Sequence, residues 1–510
     1  MSEILELHGN RLQLDDVERV ARAATAPTVR MAAEARGRVE AARSFVERLV
    51  AEGRVVYGLT TGFGALSEVV IPLDRIRELQ VNLIRSHAAG VGEPLSEAEV
   101  RAITLLRANV LALGHSGVRP VVIELLTELL NHRIHPVIPS RGSVGASGDL
   151  APLSHLALVL LGEGEAFYQG ERMPGGEALR RAGLQPVTLE AKEGLALNNG
   201  TQVLTGIGIL ALLAAERAVE TAEVAGAMSL EALTGTPDAF DDLIQRVRPH
   251  PGQSVSAGRL RTLLADSEIR ESHRYGDPRV QDAYSLRCMP QVHGAARQGL
   301  AFVRQVLEIE SNSATDNPLI FPAEERVISG GNFHGQPVAQ ALDMIAMVCA
   351  DLASISERRL ARLVDPTLSG LPAFLTPEPG VNSGMMLVQI GAAALVSELK
   401  QKAHPASVDS IPTDANKEDH VSMGVGAALK AREAVHLLET VLALELFAAA
   451  QGLEFLKPLR PGRGVERAYA RIRERVAPLG QDRVLSPDIA AVEALVREGA
   501  FAHLFEEVAS

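Results

Sequence analysis

Several stretches of this chain keep a helical rhythm of apolar residues for longer than a small domain can bury, and this limits the possible folds more than any other feature. Residues 201–233, 336–363 and 421–452 are apolar on nearly every face, so each must be surrounded by protein rather than lie along a surface. An unbroken helix over 421–452 would run roughly 48 Å at about 1.5 Å per residue, which points to a bundle reaching between subunits. Further helical patterns cover 15–24, 29–53, 73–87, 97–113, 121–130, 152–161, 295–311, 385–402, 464–476 and 486–508. Extended segments are brief, at 54–57 and 165–168. The expected class is therefore mainly α: a large helical subunit with a long central helix bundle and minor short strands in its N-terminal region. The turn-rich stretch 162–194 suggests a boundary near Leu197, dividing an N-terminal region, 1–197, from a long-helix bundle and C-terminal helical region, 198–510.

The balance of 50 basic against 63 acidic residues gives a net charge of −13, which argues against nucleic-acid or acidic-membrane partners. Two cysteines, Cys288 and Cys349, lie far apart in apolar settings, so neither a disulfide framework nor a metal knuckle is expected and a reducing, cytoplasmic compartment fits. The N-terminus, MSEILELHGNRLQLDD, is acidic where a signal peptide would be basic. The longest apolar run, 203–215, is shorter than a bilayer span and reads as a buried helix. His132 and His135 form an HxxH pair without a third ligand at zinc spacing, so no metal is expected. Tryptophan is absent and aromatics make up 3 % of the chain, which leaves the core to Ala, Leu, Val and Ile and makes any tyrosine inside a motif conspicuous.

Chemistry centres on GSVGASGDLAPLSH, residues 142–155. In Ala146-Ser147-Gly148 the Gly148 nitrogen is unhindered and free to enter a compressed turn. Its attack on the Ala146 carbonyl closes a five-membered ring. Loss of that oxygen as water, and of the Ser147 hydroxyl as a second water, leaves an exocyclic methylidene. Such a group is an electron sink, which side chains do not offer and enzymes usually borrow from a cofactor. A Ser147 nucleophile of hydrolase type would need GxSxG, which GASGD lacks.

Other strings carry polar or aromatic residues in Gly-rich or motif-like settings. Tyr57 opens YGLTTGFG, which lacks the Lys or GxGxxG spacing of a phosphate cradle. His87 ends a helix in NLIRSHAAGVG, where an ordinary surface or core histidine is the plain alternative. Asn199 in LALNNGTQ could simply cap a helix. Gln281, Tyr284 and Arg287 belong to VQDAYSLRCMPQVHG; Tyr284 and Arg287 share a face if that stretch is helical. Arg287 suits a bidentate grip on a carboxylate, or a surface salt bridge. Phe333 lies in GGNFHGQP, where packing alone would account for it elsewhere. Glu418 lies in PTDANKEDHVSMG, where it is either one of a solvated charge run or a pocket carboxylate able to accept an N–H or a proton.

In this order, these strings resemble the ammonia-lyase and aminomutase family that carries a methylidene-imidazolone (MIO) group. The resemblance implies the histidase and phenylalanine ammonia-lyase fold, a homotetramer with active sites shared between subunits, and an MIO formed autocatalytically from Ala146-Ser147-Gly148 with no external cofactor. It implies that Tyr57 acts in proton transfer at the substrate β-carbon and that Tyr284 lies near the ring and that proton. Arg287 would bind the carboxylate with Gln281 in support, Asn199 would donate to the ring carbonyl, and Phe333 would pack on the substrate. His87 and Glu418 match the histidine-acting branch, which implies elimination of ammonia from L-histidine to give trans-urocanate, with Tyr57 or Glu418 as the base. Thr60 and Lys417 depart from the family pattern, which has Asn and Gln there. A tyrosine or phenylalanine lyase or aminomutase is the alternative within the family, and an inactive helical scaffold the alternative from another class. A fumarase-type helical enzyme is disfavoured by the lack of an SSxMPxKxN string.

Overall fold

A computed structural model describes residues 3–145 and 150–509; Ala146, Ser147 and Gly148 lie outside the described residues. Twenty-one α-helices and nine short strands occur among the described residues, so the expected mainly α class is what the chain forms. It divides into two compact units, one of residues 1–210, 304–343 and 405–429, the other of 211–303, 344–404 and 430–510. Leu197, where composition changes, falls inside the first stretch of the first unit. The change there marks where long helices begin; each unit is then assembled from three separate stretches of chain.

In the first unit, Glu97–Ala112 starts at a capping box in which the Ser96 and Glu99 side chains satisfy each other's backbone N–H groups, as such boxes do. Pro120 occupies the first turn of Pro120–Asn131, where a missing N–H costs nothing. The helix expected over 29–53 is shorter: Thr28–Met31 is a strand paired in parallel with Ile4–Leu7, and the helix is Ala33–Ala51. Strand pairing won because Val29 alternates inward against exposed Thr28 and Arg30, a period of two that the local helical pattern masked. Val91–Pro94 pairs antiparallel with Pro139–Arg141, just ahead of the Ala146 triplet. The expected strand Glu165–Tyr168 is the middle of three, between His135–Pro136 and Glu171–Pro174.

The second unit is built on a continuous apolar core that includes Met228, Leu260, Met289, Leu363, Leu446 and Phe447. Within it Arg359 and Glu445 are both fully buried; Glu445 accepts from the Arg359 guanidinium and from the Ser229 and Ser356 hydroxyls, which is how a buried charge is made tolerable. Gly252 and Gly294 pack backbone to backbone, a Cβ at Gly252 coming 2.2 Å from the Gly294 carbonyl oxygen. The helix expected over 486–508 is two, Ser486–Arg497 and Leu504–Ala509, interrupted where Gly499 takes φ +75°, the left-handed ending that glycine permits. Gln202–Ala232 and Gln336–Val364 are long and apolar enough to cross a membrane by length and composition, although the run 203–215 alone is not. Burial of 89 % and 61 % of their apolar windows accounts for that composition without a bilayer.

Glu231 gives the second unit a pH dependence. It is buried, accepts from the Gly462 N–H at 2.8 Å, and burial outweighs that bond and the Ser267 hydroxyl to push its pKa from 4.5 up to about 7. Between those values the folded chain keeps a proton that the unfolded chain has released, so this group's contribution to stability falls as pH rises and its full cost, about 3 kcal/mol, is present above about pH 7. Glu231→Gln should flatten that decline, which denaturation midpoints at about pH 5 and about pH 8 will show.

Candidate active site

The Tyr57 loop is folded by its own hydroxyls. Thr60 Oγ1 accepts from the Val56 N–H at 3.0 Å and donates to the Arg54 carbonyl at 2.8 Å, and Thr61 Oγ1 accepts from the Gly58 N–H at 3.2 Å. Thr60 thus supplies the loop's hydrogen bonding where the family pattern has Asn. The Tyr57 hydroxyl accepts from the Gly64 N–H at 3.2 Å. Burial raises the phenol's pKa above its usual 10.0 against that bond, and the charges of Asp414, Glu418 and Asp316 push it the same way.

The backbone ahead of the Ala146 triplet is pinned to the segment after Glu418. Val144 accepts from the Met423 N–H at 2.8 Å and Gly145 from the Ser422 hydroxyl at 2.9 Å. Gly145 has φ +65°, and a Cβ there would meet Ser422 Oγ at 2.3 Å, so only glycine fits. On the other side, His155 Nε2 accepts from the Gly90 N–H at 3.1 Å, joining the triplet's C-terminal helix to the turn after His87. His87 ends Ile76–His87 and its Nδ1 lies 2.9 Å from the Leu83 carbonyl. A proton on Nδ1 leaves Nε2 as an acceptor, a tautomer set by that bond.

Asn199 is buried beside a closed polar group. Its amide nitrogen donates to Asp316 Oδ1 and the Asn317 carbonyl, each at 3.3 Å, and Asp316 Oδ2 is 2.7 Å from Lys192 Nζ with both side chains fully buried. Rotating the amide would set its oxygen against two acceptors. The amide nitrogen expected to donate to a ring carbonyl thus holds two partners already, and among the described residues Asn199 Oδ1, like Asn198 Oδ1 beside it, is buried without one. Asn198 in turn donates to Ser154 Oγ at 3.1 Å, four residues past the described start of the triplet's following helix.

Glu418 pairs with Thr413 across an antiparallel bridge and accepts from the Thr413 hydroxyl at 2.7 Å. Lys417 is exposed. Next to Phe333, which is half-buried, His334 stacks on His420 with ring centroids 5.9 Å apart and lies 3.2 Å from the His420 carbonyl. Tyr57, His87, Asn199, Phe333 and Glu418 thus belong to the first unit, as does the chain flanking the Ala146 triplet. Gln281, Tyr284 and Arg287 belong to the second. Tyr284–Arg287 is a single helical turn, which meets the condition for the two residues to share a face, with the Arg287 guanidinium 4.5 Å from the centre of the Tyr284 ring. Tyr284 is 72 % exposed, and Arg287 Nε is buried without a partner. Among the described residues no carboxylate forms a salt bridge with Arg287. His132 and His135 turn to separate carboxylates, Glu128 and Glu97.

The family model for aromatic amino acid lyases matches residues 12–474. The chain belongs to the aromatic amino acid lyase family. The lyase is 57 % identical to the histidine ammonia-lyase of Anaeromyxobacter dehalogenans, over 98 % of this chain and 99 % of that one. Among solved structures it is similar to the histidine ammonia-lyase of Trypanosoma cruzi, with 44 % identity, a TM-score of 0.92 and coverage of 99 % and 95 %. It is also similar to the tyrosine aminomutase of Streptomyces globisporus, with 37 % identity, a TM-score of 0.94 and coverage of 99 % and 98 %.

Supporting residues of the lyase were missed by sequence reasoning. Arg107, buried, donates to the Asn199 carbonyl at 2.9 Å and to Gln202 Oε1 at 2.5 Å. Lys192 and Asp316 lie 124 positions apart, so no local pattern could pair them. Ser422 and Asp414 stand within the Glu418 motif without any local feature that marks them out. Their signal was their presence in that motif, and their partners lie in other motifs.

Proposed function

We infer that this lyase eliminates ammonia from L-histidine to give trans-urocanate. The observation that carries the reading is the anchoring of the Glu418 segment, through Ser422 and Met423, onto the backbone entering Ala146-Ser147-Gly148. The relatives named histidine ammonia-lyase support it over nearly the whole chain. An MIO formed from the triplet fits these surroundings: both flanks of the loop are fastened and Gly145 has no room for a side chain. When formed, it supplies an electrophile that lets a poor amine leaving group depart with its electrons delocalised.

The chain's own side chains do the remaining work. Arg287, with an unpaired Nε and its guanidinium steadied on Tyr284, takes the substrate carboxylate, with Gln281 in support. Glu418 accepts the imidazole N–H or the β-proton, His87 offers Nε2 as a second acceptor, and Phe333 packs on the ring. Tyr57, kept as a neutral phenol by burial and nearby carboxylates, holds or moves the β-proton. Assembly as a homotetramer with shared sites would cover surfaces such as Tyr284 and Val280, which is 100 % exposed. A cytoplasmic setting suits the free thiols Cys288 and Cys349.

Incubating the purified protein separately with L-histidine, L-tyrosine and L-phenylalanine tests the reading, because urocanate, coumarate and cinnamate differ in ultraviolet absorption. Urocanate should dominate; coumarate, cinnamate or a β-amino acid as the main product would overturn it. The pH profile then identifies the base. If Tyr57 must ionise, kcat/KM climbs with pH beyond about 10, because its pKa is raised. A profile without that climb would rule out an ionised Tyr57 as the base.

A further inference from the structure

Asp414 is exposed, four residues before Glu418, and would ordinarily be read as a turn residue binding its own backbone. Its carboxylate turns away from its own loop: Oδ2 accepts from the Ala65 N–H at 3.0 Å, 349 positions away. That amide follows Gly64, whose N–H is held by the Tyr57 hydroxyl, so consecutive N–H groups of one turn bind Tyr57 and Asp414. Gly64 makes the approach possible, since a Cβ on it would lie 2.0 Å from Asp414 Oδ2, and its φ of +52° disfavours other residues as well. On its own side Asp414 is held in an unusual backbone. Asp414, Ala415 and Asn416 all have positive φ, 48°, 51° and 70°, a conformation non-glycine residues keep only when the surroundings impose it.

We propose that Asp414 is a positioning residue that fastens the Tyr57 loop to the Glu418 segment, setting the Tyr57 hydroxyl opposite Glu418 through the Gly64-Ala65 turn. The proposal rests on the reading of Tyr57 and Glu418 as facing one substrate. With Ser422 on the triplet's flank and His334 against the His420 carbonyl, it makes residues 413–423 a hub joining three loops of the site.

The test uses the full-length protein and measures hydrogen exchange in peptides spanning 58–70 alongside turnover of L-histidine. Asp414→Ala should speed exchange there and lower kcat about tenfold, in line with loss of one charge-assisted hydrogen bond, with KM within about twofold. Asp414→Asn keeps an acceptor for the Ala65 N–H and should restore both protection and rate to within about threefold. Gly64→Ala, which displaces the carboxylate, should match Asp414→Ala, and the double variant should be little worse than either. Unchanged exchange in Asp414→Ala, failure of Asp414→Asn to rescue, or additive losses in the double variant would overturn the proposal. Exchange does not depend on the substrate, so a protein that turned over another amino acid would leave this readout standing. Normal exchange in Asp414→Ala with intact histidine turnover would reject the clamp alone.

Discussion

Ser147→Ala should lower the rate of ammonia elimination by about a thousandfold or more while leaving the fold intact. The β-hydrogen of histidine is barely acidic and its amine leaves poorly, so catalysis needs a group that accepts electrons, and no side chain among Tyr57, His87, Asn199, Glu418 or Arg287 is one. Alanine at 147 has no hydroxyl to lose as water, so the methylidene cannot form. A thousandfold corresponds to about 4 kcal/mol of transition-state stabilisation, at about 1.36 kcal/mol per tenfold. Ser143, Ser422 and Met423, which fasten the chain ahead of the triplet, are untouched by the change, so the thermal midpoint should stay within a few degrees. Turnover of L-histidine with a matched melting curve checks both halves. A variant retaining more than about a tenth of the activity would mean that Ser147 is not the source of the electron sink.

Asp316→Asn should cost about 3–5 kcal/mol of stability, because it removes the only countercharge that the fully buried Lys192 ammonium has among the described residues. Burial already lowers the Lys192 pKa, with Asp316 as the main force opposing that shift. The same substitution leaves one amide oxygen where two carboxylate oxygens serve, Oδ1 accepting from Asn199 at 3.3 Å and from the Asn317 N–H at 2.6 Å and Oδ2 from Lys192 at 2.7 Å, so the setting of Asn199 is disturbed and activity should fall with stability. Replacing both partners by apolar residues of similar size, Lys192→Met with Asp316→Leu, should recover much of the stability without recovering the activity. Denaturant midpoints of the single and double variants measure the first effect and histidine turnover the second.

The long helices and the site motifs were legible in the sequence for different reasons. Helices such as Gln336–Val364 and Met386–Lys402 declare themselves through uninterrupted apolar periodicity. Tyr57, Glu418 and Arg287 stand in strings whose composition has no simple packing explanation. What the sequence did not reveal is set by contacts between distant segments. Thr28–Met31 becomes a strand only because Ile4–Leu7 lies beside it. Lys192 is an unremarkable lysine until Asp316 reaches it, and the partition into two units follows from chain returns at 304–343 and 405–429 that no local composition marks. Asn199 shows the same limit at the level of one atom. Its place in the motif was readable, but which end of its amide is free was decided by Asp316 and Asn317.

Intact-mass spectrometry of the purified protein tests the central claim most directly, since the proposed chemistry turns on a backbone that has lost two waters. The account predicts a mass roughly 36 Da below that of the unmodified sequence, as two lost waters require, and no such deficit in Ser147→Ala. The full unmodified mass in folded protein that converts L-histidine to urocanate would contradict it.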